Sequence, residues 1–396
     1  MPYVDGRAVH DADSHLMEFP DWLIDHADPI IRERLGRVPL RGFEASIAAG
    51  QAARRAVHSN AGARTAAEAE LMIRKNWDAL GGFDKADRSD AVNLLGFRSQ
   101  LVFSSFCHPL LVRDPRLHAG AFDVDVLYAA VRAHNLGVAE FCEADDRLLG
   151  VGFVALDDPQ RAVWAAREAL DNGCAAIEVP SYPSSAVSIA HSVFDPFYRL
   201  LEDSGSPLLF HVGGGGRLVP APFEDPGRPR PPRRHEQQMA EPALTFVGMP
   251  APVEMALAAL ILEGVFEAHP VLRCGVIEQG ATWLPGFLRR LDLAFEAFAH
   301  PDQRARLRVP PSEYIMRSVR VAPFPFEDIA WLIGQTSADL YLFGSDFPHD
   351  EGGVDPLGLC EAQLEKVSPD DADLFFRANF EHLMGSSLPP TVRTTQ

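Results

Sequence analysis

The sequence predicts an α/β chain folded as a (β/α)8 barrel with a helical insertion after the first strand, and two observations predict it. Short apolar runs of strand length recur along the 396 residues, each followed by a longer segment with helical periodicity; this is the alternation of a parallel sheet with crossover helices. The runs number eight, and no G-x-G-x-x-G follows the first, so a closed barrel is favoured over an open dinucleotide-binding sheet.

In order, the expected strands are Ala8–Asp13, Gln100–Ser104, Leu148–Ala155, Cys174–Val179, Pro207–His211, Leu272–Glu278, Ser318–Ala322 and Leu340–Ser345. Helices are expected at Val124–Cys142, Pro159–Asn172, Pro196–Ser204, Pro252–Ala268, Trp283–Ala299, Phe326–Gly334 and Gly358–Lys366. Several open with proline in the first turn, and Asn172-Gly173 and Ser204-Gly205 stand where helices stop. Residues 22–90 are helical and polar and form the insertion. Residues 213–241 read as a Gly/Pro-rich loop gathering Arg217, Arg228, Arg230, Arg233 and Arg234 in an otherwise acidic chain. The whole, residues 1–396, reads as a single barrel domain.

Composition narrows the function. With 55 acidic against 36 basic residues the formal charge is −19, which argues against a nucleic acid or an anionic membrane as partner, since both demand a basic footprint. A small molecule is the better expectation. The N-terminus lacks a signal-peptide pattern and no run of 18 apolar residues appears, so a cytoplasmic protein is expected. The five cysteines are scattered and never form C-x-x-C, which points to reduced, buried thiols. Apolar positions in the insertion (Leu71, Ile73, Trp77, Leu80) suit a dimer contact or a lid, and a homodimer is expected.

In a parallel barrel the reacting groups sit at the C-terminal ends of strands. The first expected strand runs into Asp13-Ser14-His15, where residues two apart share a side; the fifth ends in His211, the sixth in Glu278, and the eighth leads into Asp346. Asp13, His15, His211 and Asp346 are the expected ligands of one divalent metal, Zn²⁺ first, with Mn²⁺ or Fe²⁺ admitted because oxygen supplies half the donors. Glu278 and Asp346 are the candidate proton carriers, although Glu278 equally suits the cap of a helix starting near Ala281 and Asp346 a turn. His108, Arg320 and His349 are expected at the mouth as contacts for an anionic or aromatic substrate. Glu178, at the end of the fourth strand, is a further candidate ligand. His134 shows no converging partner.

Five segments together resemble a known family: Asp11-Ala-Asp-Ser-His15, Phe210-His-Val-Gly-Gly214, Gly264-Val-Phe-Glu-Ala-His-Pro-x-Leu-Arg273, Glu278-x-Gly-x-x-Trp-Leu-Pro285 and Gly344-Ser-Asp-Phe-Pro-His-x-Glu-Gly352. They are similar to the amidohydrolase-related family that includes aminocarboxymuconate-semialdehyde decarboxylase and the resorcylate-type decarboxylases. The resemblance implies a metal-dependent barrel, often dimeric, acting on small acids and amides. It places Asp13 where decarboxylases carry a first-strand His or Glu ligand, and His15, His211 and Asp346 at the remaining ligand positions. At Glu278 the chain departs, because the decarboxylases carry histidine there. Glutamate suits proton abstraction from metal-bound water better than protonation of an aromatic carbon, so hydrolysis of an amide, ester or lactone is the leading expectation. Non-oxidative decarboxylation, dehydrative cyclisation (ring opening run in reverse) and a non-catalytic binding barrel are the alternatives.

Overall fold

A strand covered on both faces must be apolar or internally satisfied along its whole length, and every residue of the seven strands found is buried. The computed structural model describes residues 2–38, 40, 43–112, 122–182, 187–213, 218–224, 227 and 243–394. The strands are β1 (His10–Leu16), β2 (Ser99–Ser104), β3 (Leu148–Phe153), β4 (Ala176–Glu178), β5 (Leu208–His211), β6 (Cys274–Ile277) and β7 (Val319–Val321), parallel and adjacent in chain order. Helices cross between them, among them Val124–Cys142, Pro159–Asp171 and Asp195–Ser204. Asp123 and Asp158 cap the first two through two backbone N–H groups each, and Gly205, at φ +69°, ends the third.

The expected eighth strand is not built as a ladder, which corrects the count to seven. Residues 341–347 still lie between β7 and β1, because Tyr341 bridges Val321 and Phe347 bridges Ser14. Backbone bonds join this stretch to both neighbours, Leu342 N–H to the Val321 carbonyl and Ala12 N–H to the Phe343 carbonyl, but the series is irregular: the Ser345 N–H donates to the Asp11 side chain, at 2.8 Å, rather than to a strand carbonyl. The next residue, Asp346, then turns to φ +54°. β1 is irregular as well, since its pairing with β2 jumps from Asp11↔Gln100 to Ser14↔Val102. Three steps on one strand against two on the other make a bulge, a device that re-aims the side chain inside it; here that side chain is Asp13.

Between β1 and β2 lie helices Trp22–His26, Glu44–Ser59, Ala61–Ala69 and Lys85–Leu95. This segment docks on the mouth of the sheet. Trp77 stacks on Phe106 of the loop after β2, ring centroids 5.3 Å apart. Arg88, fully buried, donates to the His15 carbonyl at 3.0 Å and to Ser14 Oγ at 2.8 Å, with its guanidinium over the Phe347 ring.

Two other expectations change. The Pro252–Ala268 helix divides into Ala251–Leu262 and Val265–Ala268 around Gly264 at φ +80°. With the short helix Ala243–Gly248 before it, Ala243–Leu262 spans 20 residues and contains an 18-residue window of mean hydropathy 1.7, long and apolar enough for a membrane span by composition. Pro250 and Pro252 fall inside it, and Val253, Leu257, Leu260 and Ile261 pack into the core while Leu244, Val247 and Met255 stay exposed, so only the face of Ala251–Leu262 that carries those four is core. Of the 213–241 loop, only residues 213, 218–224 and 227 are described; the five arginines expected there lie outside the described residues.

Candidate metal centre

Three strand ends and the turn after Ser345 bring five groups together. His15 Nε2 lies 3.3 Å from Asp13 Oδ1, 3.4 Å from Asp346 Oδ1 and 3.8 Å from Glu278 Oε2. His211 Nε2 lies 3.5 Å from Asp13 Oδ1 and 3.1 Å from Glu278 Oε2. Asp13, His15, His211 and Asp346 are at most 5% exposed, yet Asp13 Oδ1, His15 Nε2, His211 Nε2 and Asp346 Oδ2 make no hydrogen bond. Burying carboxylates and imidazoles unsatisfied is costly. Donors on one tetrahedral ion at 2.0–2.2 Å are separated by about 3.4 Å, so the observed spacings fit a cation shared by this set.

Each imidazole is aimed by its other nitrogen. His15 Nδ1 is 3.3 Å from the Ser104 carbonyl and His211 Nδ1 is 3.0 Å from that of Val212, contacts that fix the proton on Nδ1 and turn the Nε2 lone pair inward. Burial, with His349 and His211 nearby, pushes the His15 pKa well below its ordinary value. At His211 burial acts in the same direction, but Asp13 and Glu178 outweigh it and the pKa is raised.

Glu278 and Asp346 hold φ values of +52° and +54°. Backbone in this region disfavours side chains and persists where the surroundings enforce it, which happens often at functional sites. The capping alternative for Glu278 does not hold, because the N–H groups of Ala281 and Thr282 donate to Glu327, at 2.8–3.0 Å. Glu327 also takes the Phe324 N–H at 2.7 Å, tying the loop after β7 to the loop after β6. Glu18 does the same one turn of the barrel away, accepting from the backbone of Ser105, Phe106 and Cys107, each at 3.0 Å. Sequence reasoning missed both carboxylates, and Arg88 with them; each is a charged residue inside a mixed segment, and only its burial distinguishes it.

The three expected substrate contacts separate. His349 stands behind Asp346, its Nδ1 2.9 Å from Asp346 Oδ1 and its Nε2 2.8 Å from Ser105 Oγ. Those distances match a nucleophile, base and acid, but the N–H groups around Ser105 that would hold an oxyanion are committed to Glu18, so the arrangement is a brace for Asp346. Arg320 is removed from the mouth: its guanidinium donates to the Met316 and Val319 carbonyls, at 3.2 and 2.8 Å. His108 remains at the edge of the centre. Its Nδ1 is 2.6 Å from Glu178 Oε1, both side chains buried, and the pair groups with His211. His134, expected to have no converging partner, is buried with its Nδ1 2.9 Å from Asn135 Oδ1.

The amidohydrolase family profile matches residues 11–380. Comparison with curated proteins finds no match. Among solved structures, an amidohydrolase of Mycobacterium avium subsp. paratuberculosis K-10 superposes with a TM-score of 0.74 at 22% identity, over 96% of this chain and 100% of that one. The 5-carboxyvanillate decarboxylase of Novosphingobium aromaticivorans DSM 12444, complexed with manganese and 4-hydroxy-3-methoxy-5-nitrobenzoic acid, gives 0.63 at 20% identity over 96% of each chain. The dihydroxybenzoic acid decarboxylase of Polaromonas sp. JS666, with manganese and 2-nitroresorcinol, gives 0.60 at 14% identity over 98% and 99%.

Proposed function

The chain belongs to the amidohydrolase family, and from that premise we propose that it is a metal-dependent hydrolase of a small amide, ester or lactone carrying an aromatic or carboxylate group. The observation that carries this reading is Glu278, a carboxylate 3.1 Å from His211 Nε2 in the midst of the donor set. Asp13, His15, His211 and Asp346 would hold the ion. When bound, a divalent cation there acidifies a water and polarises a substrate oxygen.

The chain's own residues do the rest. Glu278 takes a proton at Oε2 and returns it to the leaving group. Asp346 is less suited to that work, because its Oδ1 is engaged by His349. Burial of the whole set keeps bulk water out and strengthens every charge interaction inside. Manganese in two structural neighbours and the mixed N/O donors support Mn²⁺ beside Zn²⁺ as the ion.

Decarboxylation is the second reading, favoured by the fold shared with two aromatic-acid decarboxylases; dehydrative cyclisation would use the same groups in reverse. A cytoplasmic homodimer remains our reading of the assembly, supported by the exposed apolar residues Leu244, Val247, Met255 and Phe326, and a monomer mass by light scattering would overturn it.

The test is elemental analysis of purified protein beside Asp346→Ala, followed by turnover of amides, lactones and hydroxyaryl acids with detection of released acid and of CO₂. One Mn or Zn per chain, lost in the variant, with acid release that falls about 10²–10⁴-fold in Glu278→Gln, supports the hydrolase. CO₂ release without hydrolysis moves decarboxylation to the front. A wild type that stays metal-free after incubation with either ion sinks both and leaves the binding barrel.

A further inference from the structure

Three non-glycine residues adopt left-handed backbone among those described: Glu278 and Asp346 at the centre, and Asn76 in the insertion, at φ +52°. Asn76 holds no position in the donor set, so its strained backbone calls for a separate explanation. Its backbone N–H donates to the Pro348 carbonyl at 2.9 Å, and its side-chain amide donates to Asp350 Oδ1, also at 2.9 Å. Both acceptors belong to the turn that follows Asp346. The neighbouring Lys75 ammonium lies 5.9 Å from the centroid of the Phe347 ring, buried and without a hydrogen bond. The turn is held on its inner side by β1, through Asp346 N–H to the Asp13 carbonyl at 2.8 Å and His15 N–H to the Phe347 carbonyl at 2.7 Å. On its outer side Asn76 makes the two bonds that close the clamp.

Resting on the metal reading above, we infer that Asn76 is a positioning residue for the metal centre: by gripping Pro348 and Asp350 it fixes the turn on which Asp346 is presented, so the insertion sets the affinity for the ion. Asparagine tolerates left-handed backbone where most residues do not, and in that conformation its N–H and its side chain both reach the turn. Alanine keeps neither the amide nor the conformational tolerance. Glycine keeps the conformation and the N–H bond but loses the side-chain bond.

The test measures the Mn²⁺ dissociation constant by chelator competition, and hydrogen exchange of the 346–352 peptide in metal-free protein, for wild type, Asn76→Ala, Asn76→Gly and Asp350→Ala. The expectation is Mn²⁺ binding weaker by about tenfold or more in Asn76→Ala, in the range that loss of an outer partner costs, by less in Asn76→Gly, and faster exchange of the peptide in both. Asp350→Ala, which leaves the insertion's own sequence intact, reproduces the glycine effect and decides the matter should Asn76→Ala not fold. Unchanged affinity and unchanged exchange in these variants overturn the inference. Should wild type bind no Mn²⁺, the metal reading fails and exchange alone decides the clamp: faster in the variants upholds it, unchanged refutes it.

Discussion

Two sets of buried carboxylates lie within one mouth and differ in how they are satisfied. Glu18 and Glu327 each accept three or four contacts from backbone N–H groups of a neighbouring loop, and their work is to hold those loops. Asp13 and Asp346 are as deeply buried, yet each keeps an oxygen without a donor, opposite imidazole nitrogens equally unsatisfied. The first set is complete as folded. The second is spaced as a bound cation would require. Burial alone therefore does not mark the candidate centre in this protein; buried carboxylate oxygens without a donor that also converge with histidine nitrogens do.

The sharpest way to break that contrast is to remove a member of each set. Asp346→Ala should lose the ion outright, a larger drop than the roughly 10–100-fold that loss of an outer partner costs. Glu18→Gln should do the converse: retain one ion per chain by elemental analysis while losing about 1–3 kcal/mol of stability in urea unfolding, because buried N–H groups are left poorly paired. If Glu18→Gln released the metal and left stability alone, the division between the sets would fall. A smaller effect sharpens it, since His349→Gln, which loosens Asp346 without deleting it, should weaken Mn²⁺ about tenfold.

Proton competition gives the gentlest probe. The pKa of His211 is raised by Asp13 and Glu178 against the effect of burial, so in metal-free protein its ring stays protonated to a higher pH than an ordinary histidine. A cation must displace that proton, and affinity should fall by about tenfold per pH unit below the raised value and level off above it. Mn²⁺ binding measured from pH 6 to 8 that showed no slope would remove His211 from the ligand set.

The sequence exposes some of this and conceals the rest for definable reasons. His211 ends a continuous apolar run, so its place at a strand terminus is legible from hydropathy alone. Asp13 and His15 are legible as a pair by alternation, but the bulge between Asp11 and Ser14 that aims Asp13 leaves no mark in the residues. The eighth strand looks as good as the others in sequence; nothing local shows that its pairing is reduced to isolated bridges or that the Ser345 N–H goes to Asp11, more than 330 positions away in the chain. Arg320 follows an apolar residue at an expected strand end, and nothing local shows that its guanidinium turns to the Met316 and Val319 carbonyls. Such long-range captures are tertiary events, invisible to periodicity.

The left-handed backbone at Glu278 carries one more consequence. Histidine is among the residues enriched in that region of conformational space, whereas glutamate is not, so the main chain at this position would receive an imidazole with less strain than the side chain it now holds. For the hydrolase proposed above, Glu278→His is therefore the substitution that this backbone accommodates with less strain on the way to a centre that protonates carbon.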